Sequence, residues 1–302
     1  VLAERKRGKK LKRSVCAALF AVSGLICWCG ISQVISNSVS SAFENAFHVP
    51  PLATTVVLTL LAALIVLRKN ATVKSLDFIV PVMAVCYFVI TVGIVVLNLR
   101  QLPAVLARIF AEAFGLRQVA AGGFGAVLMN GVKRGLFSNE AGLGSTPHAH
   151  ALAKVERPQD QGAVAILGVF VDTFVVLTLT GLVLITSGLI PQGMTGTALT
   201  QAAFSQAFGG FGPIFIAVCM FFFAFSTIIG WYFFGQSNFK ALFGEKLLPV
   251  YSIIVVAFIL VGSTLKVDLV WALADLFNGL MAVPNLLALL ALAGVVVAID
   301  RK

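Results

Sequence analysis

Charge is what this chain lacks most. Asp, Glu, Lys and Arg make up 11% of its 302 residues, against a hydrophobic share of 59%, and the mean hydropathy is +1.01. Soluble domains carry about 25% charged and about 45–50% apolar residues. So little charge excludes a water-soluble domain, because too little polar surface would remain to cover the core. Cysteine is also sparse. The five residues, at 16, 27, 29, 86 and 219, all fall in apolar runs without zinc-type spacing. Cys27 and Cys29, two apart on a helix, point to different faces, so all five are expected to serve as small buried hydrophobes. Low-complexity tracts and fixed-period repeats are missing too.

What remains is apolar sequence in long runs, and its solvent must be lipid. Every backbone N–H and C=O then needs a partner within the protein, which leaves helices or closed barrels. Apolar runs of about 17–25 residues suit helices. Membrane helices are expected near 14–46, 52–67, 76–98, 119–138, 161–187, 211–236, 247–264 and 268–299, preceded by a basic segment at 1–13. "LPAVLARIFAEAFG" at 103–116 is too short and mixed to span and is expected to lie flat or over the bundle. A short outer segment is expected at 197–208.

A net charge of +10 raises the question of nucleic acid, but its placement answers as topology. With the start of the chain in the cytoplasm and alternating sides, Arg100, Arg108, Arg117 and Lys266 are the only basic residues outside, 4 of 22. Such a bias orients membrane proteins. Both ends of the chain are therefore expected in the cytoplasm, with membrane lipid as a partner and no nucleic acid. The chain opens on Val1 and "ERKRGKKLKR", which suits either a cytoplasmic start or an internal loop of a longer protein.

Against this background a few polar positions stand out. "AAGGFGAVL" places Gly122, Gly123 and Gly125 around Phe124. Each interior glycine costs a helix about 0.5–1 kcal/mol relative to Ala. The cluster suits either an unwound turn that binds a ligand or close packing of helices through small residues. "FFFAFSTIIGWYFFG" carries Ser226 and Thr227 in mid-span. Their hydroxyls either bond back to the preceding turn or offer hard oxygens to a small cation, with Trp231 one turn further on the same face. Asp172 is a carboxylate about ten residues into its span, a costly placement that points to function. Asp275 lies nearer a helix end. Asn278, Pro284 and Asn285 suggest a kink.

The polar block "GLFSNEAGLGSTPHAH" at 135–150 is flanked by Lys133, Arg134, Lys154 and Arg157, which put it at the cytoplasmic mouth. His148 and His150 are badly spaced for a shared metal. Ser145 has no oriented acid or nucleophile turn. No enzyme site and no cofactor are expected. Gly142 and Gly144 mark turns, and the block suits a re-entrant cap over the inner end of a cavity.

"GLFSNEAGLGS", preceded by "GGFGA" and followed by "QGAVAILGVFVDT", "FAFSTIIGW" and "DLVWALADLFNGLMAVPN", resembles the alanine/glycine:cation symporter (sodium:alanine symporter) family from about residue 14 to 299. The resemblance implies an all-α multi-pass bundle of the leucine-transporter type, with an inverted repeat and without its first helices. It implies sodium-coupled symport of a small neutral amino acid, alanine or glycine, with a proton as the alternative ion. Gly122, Gly123, Phe124 and Gly125 would form the broken helix beside the amino acid, with Asn37 and Trp231 completing the pocket. Ser226 and Thr227 would hold sodium, with Asp172 facing them from the next helix. Ser138, Asn139 and Glu140 would form the inner gate. Two departures matter. Ile35 stands where family members carry Gln, two positions before Asn37, with Gln33 nearby, which bears on substrate choice. About three N-terminal helices, including the first broken one, have no counterpart. The resemblance thus leaves a non-functional fragment as an alternative, beside a passive channel. Vesicles holding only these 302 residues are expected to show no uptake of labelled alanine, and accumulation there would reverse that expectation.

Overall fold

A computed structural model describes residues 14–67, 74–114, 124–140, 142–262 and 267–300. These are helical throughout, with no strand among the described residues. In chain order the helices are α1 (Val15–Phe47), α2 (Pro51–Val66), α3 (Lys74–Leu97), α4 (Leu102–Phe114), α5 (Phe124–Asn139) and the single turn α6 (Pro147–His150). There follow α7 (Pro158–Phe170), a π-helical turn at Val171–Val176, α8 (Leu177–Thr186), α9 (Gly196–Phe208), α10 (Phe211–Phe243), α11 (Leu248–Gly262) and α12 (Val267–Asp300). The expected spans overlap described helices, with residues 119–123 and 263–264 outside the described residues and 161–187 divided by the π-helical turn. Six stretches are long and apolar enough to cross a membrane: Val15–Phe47, Phe78–Leu97, Pro158–Thr186, Phe211–Phe243, Glu245–Gly262 and Leu269–Gly294. The helix α2 has 16 residues, short of the roughly 20 that a straight crossing needs. The mixed segment after α3 is a helix, as is the segment expected at 197–208 before α10.

The bundle is organised around α1, which packs against α2, α9, α10, α11 and α12. Apolar faces alone do not drive helices together in lipid, so close contact depends on small residues and hydrogen bonds. A Cβ on Gly262 of α11 would come within 2.8 Å of the Gln33 backbone of α1. Ser36 donates to the Ile259 carbonyl at 2.9 Å across the same seam. Within the polar patch of α1, Ser32, Ser38 and Ser40 donate to the carbonyls of Trp28, Val34 and Ser36. Buried Gln201 of α9 donates to the Ala42 carbonyl of α1 at 2.9 Å and the Pro213 carbonyl of α10 at 3.1 Å. Its own carbonyl accepts from Asn45 at 3.1 Å. One amide side chain thus ties three helices at the end of the bundle where α1 terminates.

Cys27, Cys29 and Cys219 are buried, as expected of small hydrophobes, but Cys16 and Cys86 are exposed. The correction has a simple cause: both lie on helix faces that no described element covers, where a thiol is tolerated beside apolar neighbours.

The turn between α9 and α10 depends on a backbone contact. Gly209 takes the left-handed region (φ 56°), and a Cβ on Gly212 would meet the carbonyl carbon of Phe204 at 2.5 Å and the Ser205 nitrogen at 2.6 Å. Main-chain atoms cannot rotate away. Gly212→Ala is expected to destabilise the bundle by about 1–3 kcal/mol, measured as a fall in Tm in detergent. Gly210→Ala, which meets nothing within 4 Å, should leave Tm unchanged.

Candidate cation and solute cavity

The site is built from the segment that follows α5. Glu140 closes α5 in the left-handed region (φ 56°), its N–H donating to the Leu136 carbonyl at 2.9 Å. Glycine usually takes this position, and a residue with a side chain pays about 1–2 kcal/mol. Gly142 and Gly144 follow at φ 78° and 91°, folding the chain back into the bundle. Leu143 is buried among Cys27, Trp28, Ile31, Trp231, Ala274 and Met281. Asn285 of α12 donates to the Gly142 carbonyl at 2.9 Å. The expected re-entrant cap is therefore a folded element with a hydrophobic foot.

His148 fixes the far side of the cap. Its Nδ1 lies 3.0 Å from the Ser145 carbonyl and its Nε2 2.7 Å from the Asn238 amide nitrogen of α10. A carbonyl only accepts and an amide N–H only donates, so Nδ1 carries the proton and Nε2 accepts. The imidazole stacks on Phe20 with centroids 5.8 Å apart and meets Trp28 edge-on at 5.8 Å. Gln161 of α7 donates to His150 Nδ1 at 2.5 Å. The two histidines thus hold the cap to α10 and α7 separately and do not converge.

The face of α10 that carries Asn238 also carries Phe234, Trp231 and Thr227, spaced by four, three and four residues. Between this face and the cap lies a cavity of about 340 Å³, lined by Glu140, Thr146, Ser226, Thr227, Trp231 and Phe234 among others. That is near the small end of ligand-site volumes. The Ser226 and Thr227 hydroxyls both donate to the Phe223 carbonyl, at 2.8 and 2.7 Å. Each hydroxyl has one proton and two lone pairs, so back-bonding, one of the two uses weighed for this pair, engages the proton and leaves the oxygen's lone pairs available.

Glu140 accepts the Ser145 hydroxyl at 2.5 Å and the Thr146 hydroxyl at 3.1 Å, both on Oε2. It lies outside the candidate spans, and burial pushes its carboxyl above the ordinary carboxylate range, against the lowering effect of these two bonds.

The other sequence-selected residues fall elsewhere. Ser138 donates to Asp172 Oδ2 at 2.9 Å and Asn139 to Thr173 Oγ1 at 2.9 Å. The π-helical turn, a feature frequent at functional sites, presents two successive polar side chains to the end of α5. Asp172 itself is exposed and is not on the wall of the Ser226–Thr227 cavity; Glu140 is the acid found there. Asn37 is half-buried on α1, away from that wall. Phe124 and Gly125 open α5, whereas Gly122 and Gly123 lie outside the described residues. Arg134 pairs with Asp275, its guanidinium 4.5 Å from the Trp271 ring centroid, so Asp275 ties α5 to α12. Thr146, Phe234 and Asn238 were not singled out from sequence, although the helical phase from Thr227 leads to the last two.

Helices of membrane-spanning length beside an open cavity walled by hydroxyls, aromatic rings and one acid suit a polytopic membrane protein of the solute-carrier class. The chain belongs to the sodium:alanine symporter family, whose description matches residues 7–302. This is a transporter family and not an enzyme family. The chain is 41% identical over 286 residues to the amino-acid carrier protein AlsT of Bacillus subtilis, covering 93% of this chain and 60% of that protein. It is 42% identical over 293 residues to the probable sodium/glutamine symporter GlnT of the same organism, covering 95% of this chain and 61% of that protein. The sodium/alanine symporter AgcS of Methanococcus maripaludis is 41% identical over 288 residues, 92% of this chain and 63% of that protein. The chain therefore spans about three-fifths of the length of the curated relatives it matches.

Gly144 is the pivot of the cap. A Cβ there would stand 2.6 Å from the Phe20 ring and 2.7 Å from Asn285 Cγ, at a φ of +91°. Gly144→Ala is expected to displace Asn285 from Gly142 and to speed amide hydrogen exchange over 142–150 by at least about tenfold, the equivalent of about 1.4 kcal/mol. Gly135→Ala, with nothing within 4 Å, should leave exchange in that segment unchanged.

Proposed function

We infer that this chain belongs to a secondary active transporter that couples sodium to the uptake of a small neutral amino acid, alanine or glycine, by alternating access. The observation that carries this is the cavity in which the Ser226 and Thr227 oxygens, with their protons engaged on Phe223, stand beside Trp231. A hard monovalent cation prefers such oxygen donors, and an indole wall suits a side chain as small as a methyl. The relatives' names, sodium/alanine and sodium/glutamine symporter among them, support the same chemistry. The amino acid's carboxylate and ammonium groups would use freed backbone around Gly122, Gly123, Phe124 and Gly125, with Asn37 contributing from α1. Asp172 would join the ion pathway through Ser138, and Ser138, Asn139 and Glu140 would form the inner gate. The bundle would have the leucine-transporter topology and lie in the cell membrane with both ends of the chain in the cytoplasm.

Coupling then follows from linkage. Sodium and the amino acid each favour one of two bundle arrangements, and the free energy each contributes is felt by the other. Thr227→Ala in a carrier of the relatives' full length is expected to raise the sodium concentration for half-maximal alanine uptake at least about tenfold, the loss of about 1.4 kcal/mol of ion binding, with the protein still present in the membrane. An unchanged sodium dependence would remove the ion from these hydroxyls.

A further inference from the structure

We propose that the Glu140 carboxylate is a second cation-binding station in the cavity of Ser226 and Thr227, taking either a proton or a sodium ion in exchange. The inference rests on the reading of that cavity as the ion's path and adds to it the group that discharges the ion towards the cap.

Three observations carry it. First, Glu140 is half-buried, and among the described residues no Lys, Arg or His is paired with it. Arg134 is taken by Asp275 and Lys240 by Glu245. A carboxylate held partly out of water without a protein counter-charge is costly, so it either stays protonated or holds a mobile cation. Second, the backbone at Glu140 is left-handed, where Gly would be accommodated without cost. A strained position kept with a carboxylate is a pointer to function. Third, Ser145 and Thr146 both donate to Oε2, and no described residue bonds Oε1, which leaves acceptor capacity on a residue that lines the cavity.

The electrostatic surroundings determine the sign. Asp172 on the π-helical turn and Cys27 on α1 are the ionisable groups coupled to Glu140. His148 and His150 on α6 are committed to Ser145, Asn238 and Gln161. On α12, Asp275 is neutralised by Arg134. Burial and the Asp172 charge both raise the Glu140 carboxyl, so the proton is held to a higher pH than on an ordinary carboxylate. Sodium binding needs the ionised form. It is therefore weakened as pH falls through the raised value and is restored as pH rises above it.

The test follows the protonated-carboxyl C=O stretch by infrared difference spectroscopy across a pH titration of the 302-residue chain in lipid bilayers. Titrations are run in sodium chloride and in choline chloride of equal ionic strength. In choline, one carboxyl band should titrate above the ordinary carboxylate range and be absent from Glu140→Gln, whose amide oxygen can still accept from Ser145 and Thr146. In excess sodium the midpoint should move down by about one pH unit for each tenfold of sodium above its dissociation constant. Glu140→Asp should keep a sodium-sensitive band at a shifted midpoint, which guards against a folding defect in the Gln variant. A Glu140 band with the same midpoint in both salts, or no band above the ordinary range, overturns the proposal. Thr227→Ala separates the two ideas. If it keeps the Glu140 band and its full sodium shift, Glu140 binds the ion and the hydroxyl assignment fails. A reduced shift supports both.

Discussion

The close approach of other helices to α1 is the constraint on which the rest of the structure depends. In lipid an apolar helix gains little by exchanging lipid tails for another apolar helix, so contact has to come from short distances and from polar groups with nowhere else to go. Gly262 against the Gln33 backbone and Ser36 on the Ile259 carbonyl bring in α11. The Cys27 thiol lies 3.0 Å from Asn278 Oδ1 and brings in α12. Trp28, 1% exposed, is seated over Gly24 and meets Trp231 and Phe234 of α10 with centroids 6.0 and 6.5 Å away. Larger residues at the glycines would hold the helices apart and leave the hydroxyl and amide groups unpaired in hydrocarbon.

That seam also fixes the cap. Leu143 and His148 both reach the aromatic cluster around Trp28, so the loop after α5 is held by the same side chains that join α1 to α10. The cavity exists because the cap and the Thr227–Trp231–Phe234 face are spaced by these rings. An apolar anchor thus positions a polar wall: Glu140 is set by the turn, and the turn by Leu143, Gly144 and Asn285.

α5 has a different character. Its contacts with the rest of the described bundle combine polar ties, Ser138 and Asn139 to the π-helical turn and Arg134 to Asp275, with Phe137 packed on Trp271. Ion pairs and hydrogen bonds of this exposure contribute about 0–1 kcal/mol each, whereas the buried seam of α1 is tightly interlocked. Its end, at Glu140, borders the cavity.

Much was legible before any coordinates. Composition dictated lipid and therefore helices, the lengths of the apolar runs located the long ones, and the spacing of Thr227 and Trp231 placed them on one face. Family resemblance marked Glu140, though only as part of a gate. Other features were not legible. Sequence could not show that a π-helical turn brings Asp172 to Ser138 or that Glu140 lies on the wall beside Ser226 and Thr227. Nor could periodicity show that Cys16 and Cys86 face outwards, since an apolar helix lacks a polar stripe to mark its buried side. The sequence by itself determined the medium, the secondary structure and the family, because those follow from local chemistry summed along the chain. Only the tertiary structure decided which polar groups meet, because a lipid-buried hydroxyl or carboxylate takes whichever partner the helix packing brings within reach.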